Sequence, residues 1–152
     1  MIYLAKDALH IRDMMIQTCM TLSRISSACY LFLDHIIWLH KAKAISIDIK
    51  AVSRLSSQFW LFSTILNLVR NMYDWERIYN SSVLVRKDEP MIVPPLIPTI
   101  LDTVRNSFDI LIPMNSLQLV QVPGVVQGLT GAISSLIGLA TMWNIELKLI
   151  NK

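Results

Sequence analysis

Gly124-Val-Val-Gln-Gly128-Leu-Thr-Gly131-Ala-Ile-Ser134-Ser135-Leu-Ile-Gly138-Leu-Ala-Thr-Met142-Trp143-Asn-Ile145 contains no formally charged residue and closes a longer uncharged stretch that begins at Ile110, between Asp109 and Glu146. At about 1.5 Å per residue, the part after Pro123 covers roughly the 30 Å of a hydrocarbon core. A helix is required there, because only it satisfies its own backbone hydrogen bonds in lipid. Pro123 suits the first turn, where no amide donor is needed. The spacing therefore predicts a transmembrane helix over residues 123–145 and a short tail over 146–152.

Composition agrees. The 152 residues are 53% hydrophobic and 16% charged, with a mean hydropathy of +0.48, too apolar for an ordinary soluble domain of this length. The net charge of +3 and pI near 9.0 come from dispersed basic residues with no compact block, which argues against nucleic acid as a partner. Cys19 and Cys29 share one apolar segment, and a helix would hold them about 15 Å apart, beyond disulfide reach. They read as small hydrophobes in a reducing compartment. Met1 to His10 lacks the pattern of a secretory signal, and Asn151-Lys152 forms no retention, peroxisomal or prenylation tail.

Upstream, Leu4, Ala8, Ile11, Met15, Cys19 and Leu22 recur at helical spacing, and from Ala28 to Leu39 the same helix becomes apolar on almost every face. After a basic connection from Lys41 to Lys50, Ala51 to Tyr73 forms a second helix. Its charge-free part, Leu55 to Val69, is only about 22 Å long and too short to span alone. Residues 1–79 are thus expected to form an antiparallel hairpin centred near Ala44. That register sets Asp34 opposite Arg54, as an intramembrane pair that would offset part of their desolvation. Asn80 to Pro98 reads as a linker, with Pro90, Pro94 and Pro95 blocking regular structure. Residues 98–122 hold an amphipathic helix, ended by Pro113, and a connection. Its apolar face, Ile100, Leu101, Val104, Phe108 and Leu111, is expected at the membrane interface. The fold class is all-α, an integral membrane protein.

Within the spanning helix, Gly124, Gly128, Gly131, Ser135, Gly138 and Met142 alternate by four and three, placing the small residues on one stripe where helix backbones can approach. Another copy or the preceding hairpin could fill it. His10, His35 and His40 have no metal-ligand spacing around them, and no phosphate loop or serine elbow appears. No catalytic residue, cofactor or metal is expected, so the chain does not read as an enzyme. Asp34-His35 could handle protons within lipid, although anchoring or pairing with Arg54 explains the aspartate better. Asn80-Ser81-Ser82 is read as a chance glycosylation sequon. Trp38, Trp60, Tyr73, Trp75, Tyr79 and Trp143 lie toward the ends of apolar segments, as interfacial aromatics do.

Four blocks then carry a resemblance. Tyr30-Leu-Phe-Leu-Asp34-His-Ile-Ile-Trp38 with Lys41, Arg54-Leu-Ser-Ser-Gln-Phe59-Trp-Leu-Phe-Ser63 through Asn67-Leu-Val-Arg70-Asn-Met-Tyr73, Leu101-Asp-Thr-Val-Arg105-Asn-Ser-Phe-Asp109-Ile-Leu-Ile-Pro113, and Gly128 to Gly138 resemble the peroxisomal membrane protein 11 family, in its beta-like form. The resemblance implies a peroxisomal membrane protein that binds phospholipid, self-associates, and promotes organelle elongation, proliferation and fission. It implies recruitment of a fission adaptor and a dynamin-related GTPase, and delivery by the peroxisomal membrane protein import receptor. It also implies a cytosolic C-terminus, with which Lys148 and Lys152 agree. Family members carry a further helical region, including the membrane-deforming amphipathic helix, before the part matching Ala5. This chain is therefore read as a fragment or short isoform lacking it. Some beta-type members also carry a Gly-rich insertion where this chain has its linker. The alternative function is a pore for small metabolites.

Overall fold

A computed structural model describes the backbone of residues 2–83 and 96–143 and the side chains of residues 14–79 and 96–143. The prolines at 90, 94 and 95, the side chain of Asn80, and Lys148 and Lys152 lie outside the described residues. Five helices follow in order: α1 Ile2–Lys41, α2 Ile49–Val83, α3 Leu96–Asp109, α4 Leu111–Ser116 and α5 Gly124–Trp143. No proline occurs before Pro90 and no glycine before Gly124, so nothing interrupts the 40 and 35 residues of α1 and α2. Their lengths, about 60 and 52 Å, exceed a hydrocarbon core. α2 runs ten residues past Tyr73 into the predicted linker.

The two reversals among the described residues are made without glycine. At the end of α1, Lys43 adopts φ 60°, the Ala44 amide bonds to the Leu39 carbonyl at 3.0 Å, and the Lys43 amide bonds to the His40 carbonyl at 2.9 Å. This is the paired closure of a Schellman turn. Gln118, also at φ 60°, ends α4 in the same way, with Leu119 bonding to Met114 and Gln118 to Asn115, both at 3.0 Å. Asp48 caps α2 by accepting from the Lys50 amide at 3.1 Å and the Ala51 amide at 3.5 Å. Pro98 falls in the first turn of α3, where its missing donor costs nothing. Pro113 lies inside α4 and acts four residues upstream: it lacks the amide that would bond to the Asp109 carbonyl, and α3 ends at Asp109, two residues short of Leu111.

α1 and α2 pair antiparallel: Met15 meets Tyr73, Ser23 meets Ser63, and Tyr30 stacks on Trp60 with ring centroids 5.1 Å apart. The centre of this register falls at the predicted Ala44. α3 meets α2 at Arg70 and Asn71 through Asp102, and runs toward the hairpin tip, bringing Asp109 within electrostatic reach of Tyr30. α5 then returns along α3 and α4, setting Gln127 on Asn115, Gly131 on Ile112 and Gly138 on Arg105. Among the described residues α5 touches α3 and α4 but neither α1 nor α2. The two reversals therefore lie at one end of the molecule, and the ends of α2 and α5 at the other.

Candidate membrane interface

The packing is inverted relative to a water-soluble bundle. No large apolar side chain is buried among the described residues, and apart from Pro98, Pro113 and Gly138 every buried residue is Ser, Thr, Asn or Asp. Large apolar side chains point outward instead: Phe32 is 67% exposed, Trp38 66%, Met72 71%, Val125 76% and Leu136 65%. Water would penalise such a surface, whereas lipid solvates it. α5 is long and apolar enough to cross a membrane, and most of it is exposed, unlike the core helix of a soluble protein. The fold is thus the expected all-α membrane fold.

Polar groups hold the helices together from within. Between α1 and α2 the Ser23 hydroxyl donates to Asn67 Oδ1 at 2.7 Å and lies 3.1 Å from Ser63 Oγ, which lies 2.6 Å from Ser27 Oγ. Small hydroxyls allow close approach of the helices and bond across the seam where lipid offers no partner. A second cluster joins α2 to α3. Asp102 Oδ2 accepts from Arg70 Nη2 at 2.6 Å and from the Asn71 and Asn106 amides at 3.0 Å each. Asp74 lies 3.9 Å from Arg70 Nε and is 5% exposed. Its burial raises the carboxyl above its ordinary 3.8, against the pull of Arg70 and Arg77, with Asp102 adding to the rise. Trp75 closes the contact by donating its indole N–H to Thr103 Oγ1 at 3.1 Å.

The predicted site residues are distributed as follows. The glycine stripe divides. Gly131 packs on Ile112, and Gly138 is buried under Arg105, where an added Cβ would lie 3.3 Å from the guanidinium carbon. Gly124 and Gly128 face open space, and Ser135 is exposed. Asp34 and Arg54 are not brought together: both are exposed and no ion pair joins them among the described residues. Their level in the hairpin matches, but at about 100° per residue the nine positions from Ser63 to Arg54 turn the arginine to the opposite face of α2. His35 Nδ1 lies 2.6 Å from the Leu31 carbonyl of its own helix. The face predicted for the membrane interface is exposed at Ile100 and Val104 and half-buried at Leu101, Phe108 and Leu111. The polar face of α3 meets α2 and α5, so α3 stands along the bundle with its polar side against protein. Cys19 and Cys29 are free.

Neither polar seam was foreseen. Their signal lay in Ser56, Trp60, Ser63, Asn67, Asn71 and Asp74, spaced by three and four along α2, a largely polar repeat within an apolar helix.

The comparisons agree with this architecture. The family model of Peroxisomal biogenesis factor 11 (PEX11) matches residues 1–143. Peroxisomal membrane protein 11B of Bos taurus is 27% identical over 180 residues, covering 91% of this chain and 69% of its own length. The Homo sapiens 11B protein is 27% identical over 181, covering 91% and 70%, and the Mus musculus 11A protein 26% over 174, covering 95% and 70%. These alignments are longer than the 152 residues of this chain, so the relatives carry inserted positions. No solved structure matches. The inverted packing, the apolar α5 and a match over residues 1–143 converge: the chain belongs to the peroxisomal biogenesis factor 11 family, whose matched relatives are named as peroxisomal membrane proteins.

Proposed function

We propose that this chain is a non-enzymatic remodeler of the peroxisomal membrane, promoting elongation, proliferation and fission of the organelle by displacing lipid, self-associating and presenting a surface to division factors. The observation that supports this reading best is the inversion: a wide apolar surface over α1, α2, α3 and α5 is offered to lipid, while the polar residues satisfy one another inside. A body of this kind displaces acyl chains over a broad area, and many copies in one membrane would impose a shape on it. Gly124 and Gly128, open on the outer side of α5, leave room for a second copy. A fission adaptor, a dynamin-related GTPase and the membrane protein import receptor are the expected partners, and the C-terminus is expected in the cytosol.

The competing reading is a metabolite pore. Against it, the buried polar side chains of the described residues bond to one another across the α1–α2 and α2–α3 contacts. The test is reconstitution of the chain into liposomes containing anionic lipid. Tubulation that rises with protein density, without conductance across a planar bilayer, is expected. Clear conductance with spherical liposomes at every density would replace the remodeler with the pore.

A further inference from the structure

The hairpin tip gathers most of the unpaired positive charge of the described residues. Lys41, Lys43, Lys50 and Arg54 are all exposed, and none is in an ion pair among the described residues. Two acids share this end. Asp34 is exposed, and Asp48 is occupied in capping α2. The loop is held in shape, because His40 Nδ1 lies 3.1 Å from the Ile45 carbonyl and 3.3 Å from the Ile47 amide. Around the cations, Trp38 is 66% exposed and Ile45 38%.

The level of this tip follows independently from helix register. Arg54 lies roughly 24 Å from Arg70 along α2. From the Arg70–Asp102 contact, the path along α3 to Arg105 and then along α5 from Gly138 to Gly124 reaches roughly 26 Å in the same direction. Arg54 is therefore level with Gly124, where the spanning helix leaves the hydrocarbon, and Trp143 returns to within about a turn of the Arg70–Asp102 level. Counted in the same way, Lys50 and Trp38 lie roughly 6 Å and Lys41 roughly 10 Å further out than Arg54, with Lys43 in the turn just beyond; the four cations thus run outward from the hydrocarbon edge through the headgroup layer, where each Lys or Arg attracts anionic headgroups.

We infer that the α1–α2 tip is a binding site for anionic phospholipid headgroups, in the leaflet at the Gly124 end of α5. Lys41, Lys43, Lys50 and Arg54 meet the phosphates, and Trp38 and Ile45 seat the tip in the interface. This inference rests on the membrane-embedded reading above and adds to it a lipid class and a position.

The test uses the full chain in phosphatidylcholine vesicles carrying trace spin-labelled phosphatidylserine or phosphatidylcholine, with electron spin resonance reading the immobilised boundary lipid. The expected result is a selectivity for phosphatidylserine of about threefold or more, falling toward one in the K41Q/K43Q/K50Q/R54Q variant and retained in K41R/K43R/K50R. Should the neutralised variant fail to fold, NaCl raised from about 0.1 to about 1 M on the native chain decides, because exposed charge is screened. Equal immobilisation of both lipids, or selectivity unmoved by neutralisation or salt, overturns the site. Alkaline carbonate extraction is read in parallel. A chain retained in membranes without selectivity refutes the tip alone, and a chain released by carbonate refutes the embedded reading beneath it.

Discussion

Asp102 receives the Arg70 guanidinium at 2.6 Å across the boundary between α2 and α3. Because α5 touches neither α1 nor α2, the packing between the hairpin and the half carrying the spanning helix rests, among the described residues, on contacts of α2 with α3 and α4. The ion pair is 13% exposed on the arginine side and 28% on the aspartate side. Asp102→Ala leaves Arg70 with the more distant Asp74 and strips a shared acceptor from Asn71 and Asn106. A loss on the order of 3 kcal/mol is expected, read as denaturation of the protein in detergent micelles, with Asp102→Asn intermediate. An unchanged midpoint in both variants would remove the ion pair from the account of the fold.

The α1–α2 seam can be checked by covalent capture. With Cys19 and Cys29 replaced by alanine, Ser23→Cys with Ser63→Cys is expected to cross-link under mild oxidant, since the hydroxyl oxygens lie 3.1 Å apart. Asp34→Cys with Arg54→Cys is expected to stay open. Cross-linking of the second pair and not the first would place the opposite faces in contact.

Two glycines of one helix should respond differently. Gly138→Leu forces a side chain into Arg105 and is expected to lower stability by roughly 1–3 kcal/mol. Gly128→Leu enters open space, so the melting of a single chain should not change, whereas cross-linking between copies should weaken. Equal melting of the two variants would show that α5 does not seat on α3 through Gly138.

Asp74 predicts a pH dependence with a definite sign. Its carboxyl is raised above 3.8, so the folded protein holds the proton more tightly than the unfolded chain. Stability from this group is full below 3.8 and declines as pH climbs through the raised value. Asp74→Asn is expected to flatten that decline and to melt no lower than the native protein at neutral pH. The measurement is melting temperature against pH for both proteins, and parallel curves would assign the slope elsewhere.

How much of this was readable in advance depended on whether lipid and protein make different demands on a position. α5 was legible because length and lack of charge suffice to identify a span. The hairpin register was legible because the basic stretch near Ala44 interrupts two apolar helices. Azimuth was not. In a lipid-embedded helix both the buried and the exposed faces tolerate apolar residues, so Phe32 and Leu55 do not reveal which side is inward. The inward side is marked by Ser23, Ser63 and Asn67, residues that a rule made for water assigns to the surface. In α3 the inward side is marked in the same way, by Asp102, which Arg70 and Asn71 of α2 take, and by Asn106, buried against Asp102.

The absence of buried apolar side chains among the described residues has a consequence for how the protein is made. Hydrophobic collapse, which assembles a bundle in water, would turn these helices inside out, hiding Phe32 and Leu136 and stranding the serine seam. The native arrangement is downhill only after the helices have entered a bilayer, where hydroxyls find each other because acyl chains refuse them. Membrane entry is therefore a step of folding for this chain rather than a destination reached after it. A copy released into water before it reaches a bilayer is expected to aggregate through the same exposed apolar side chains.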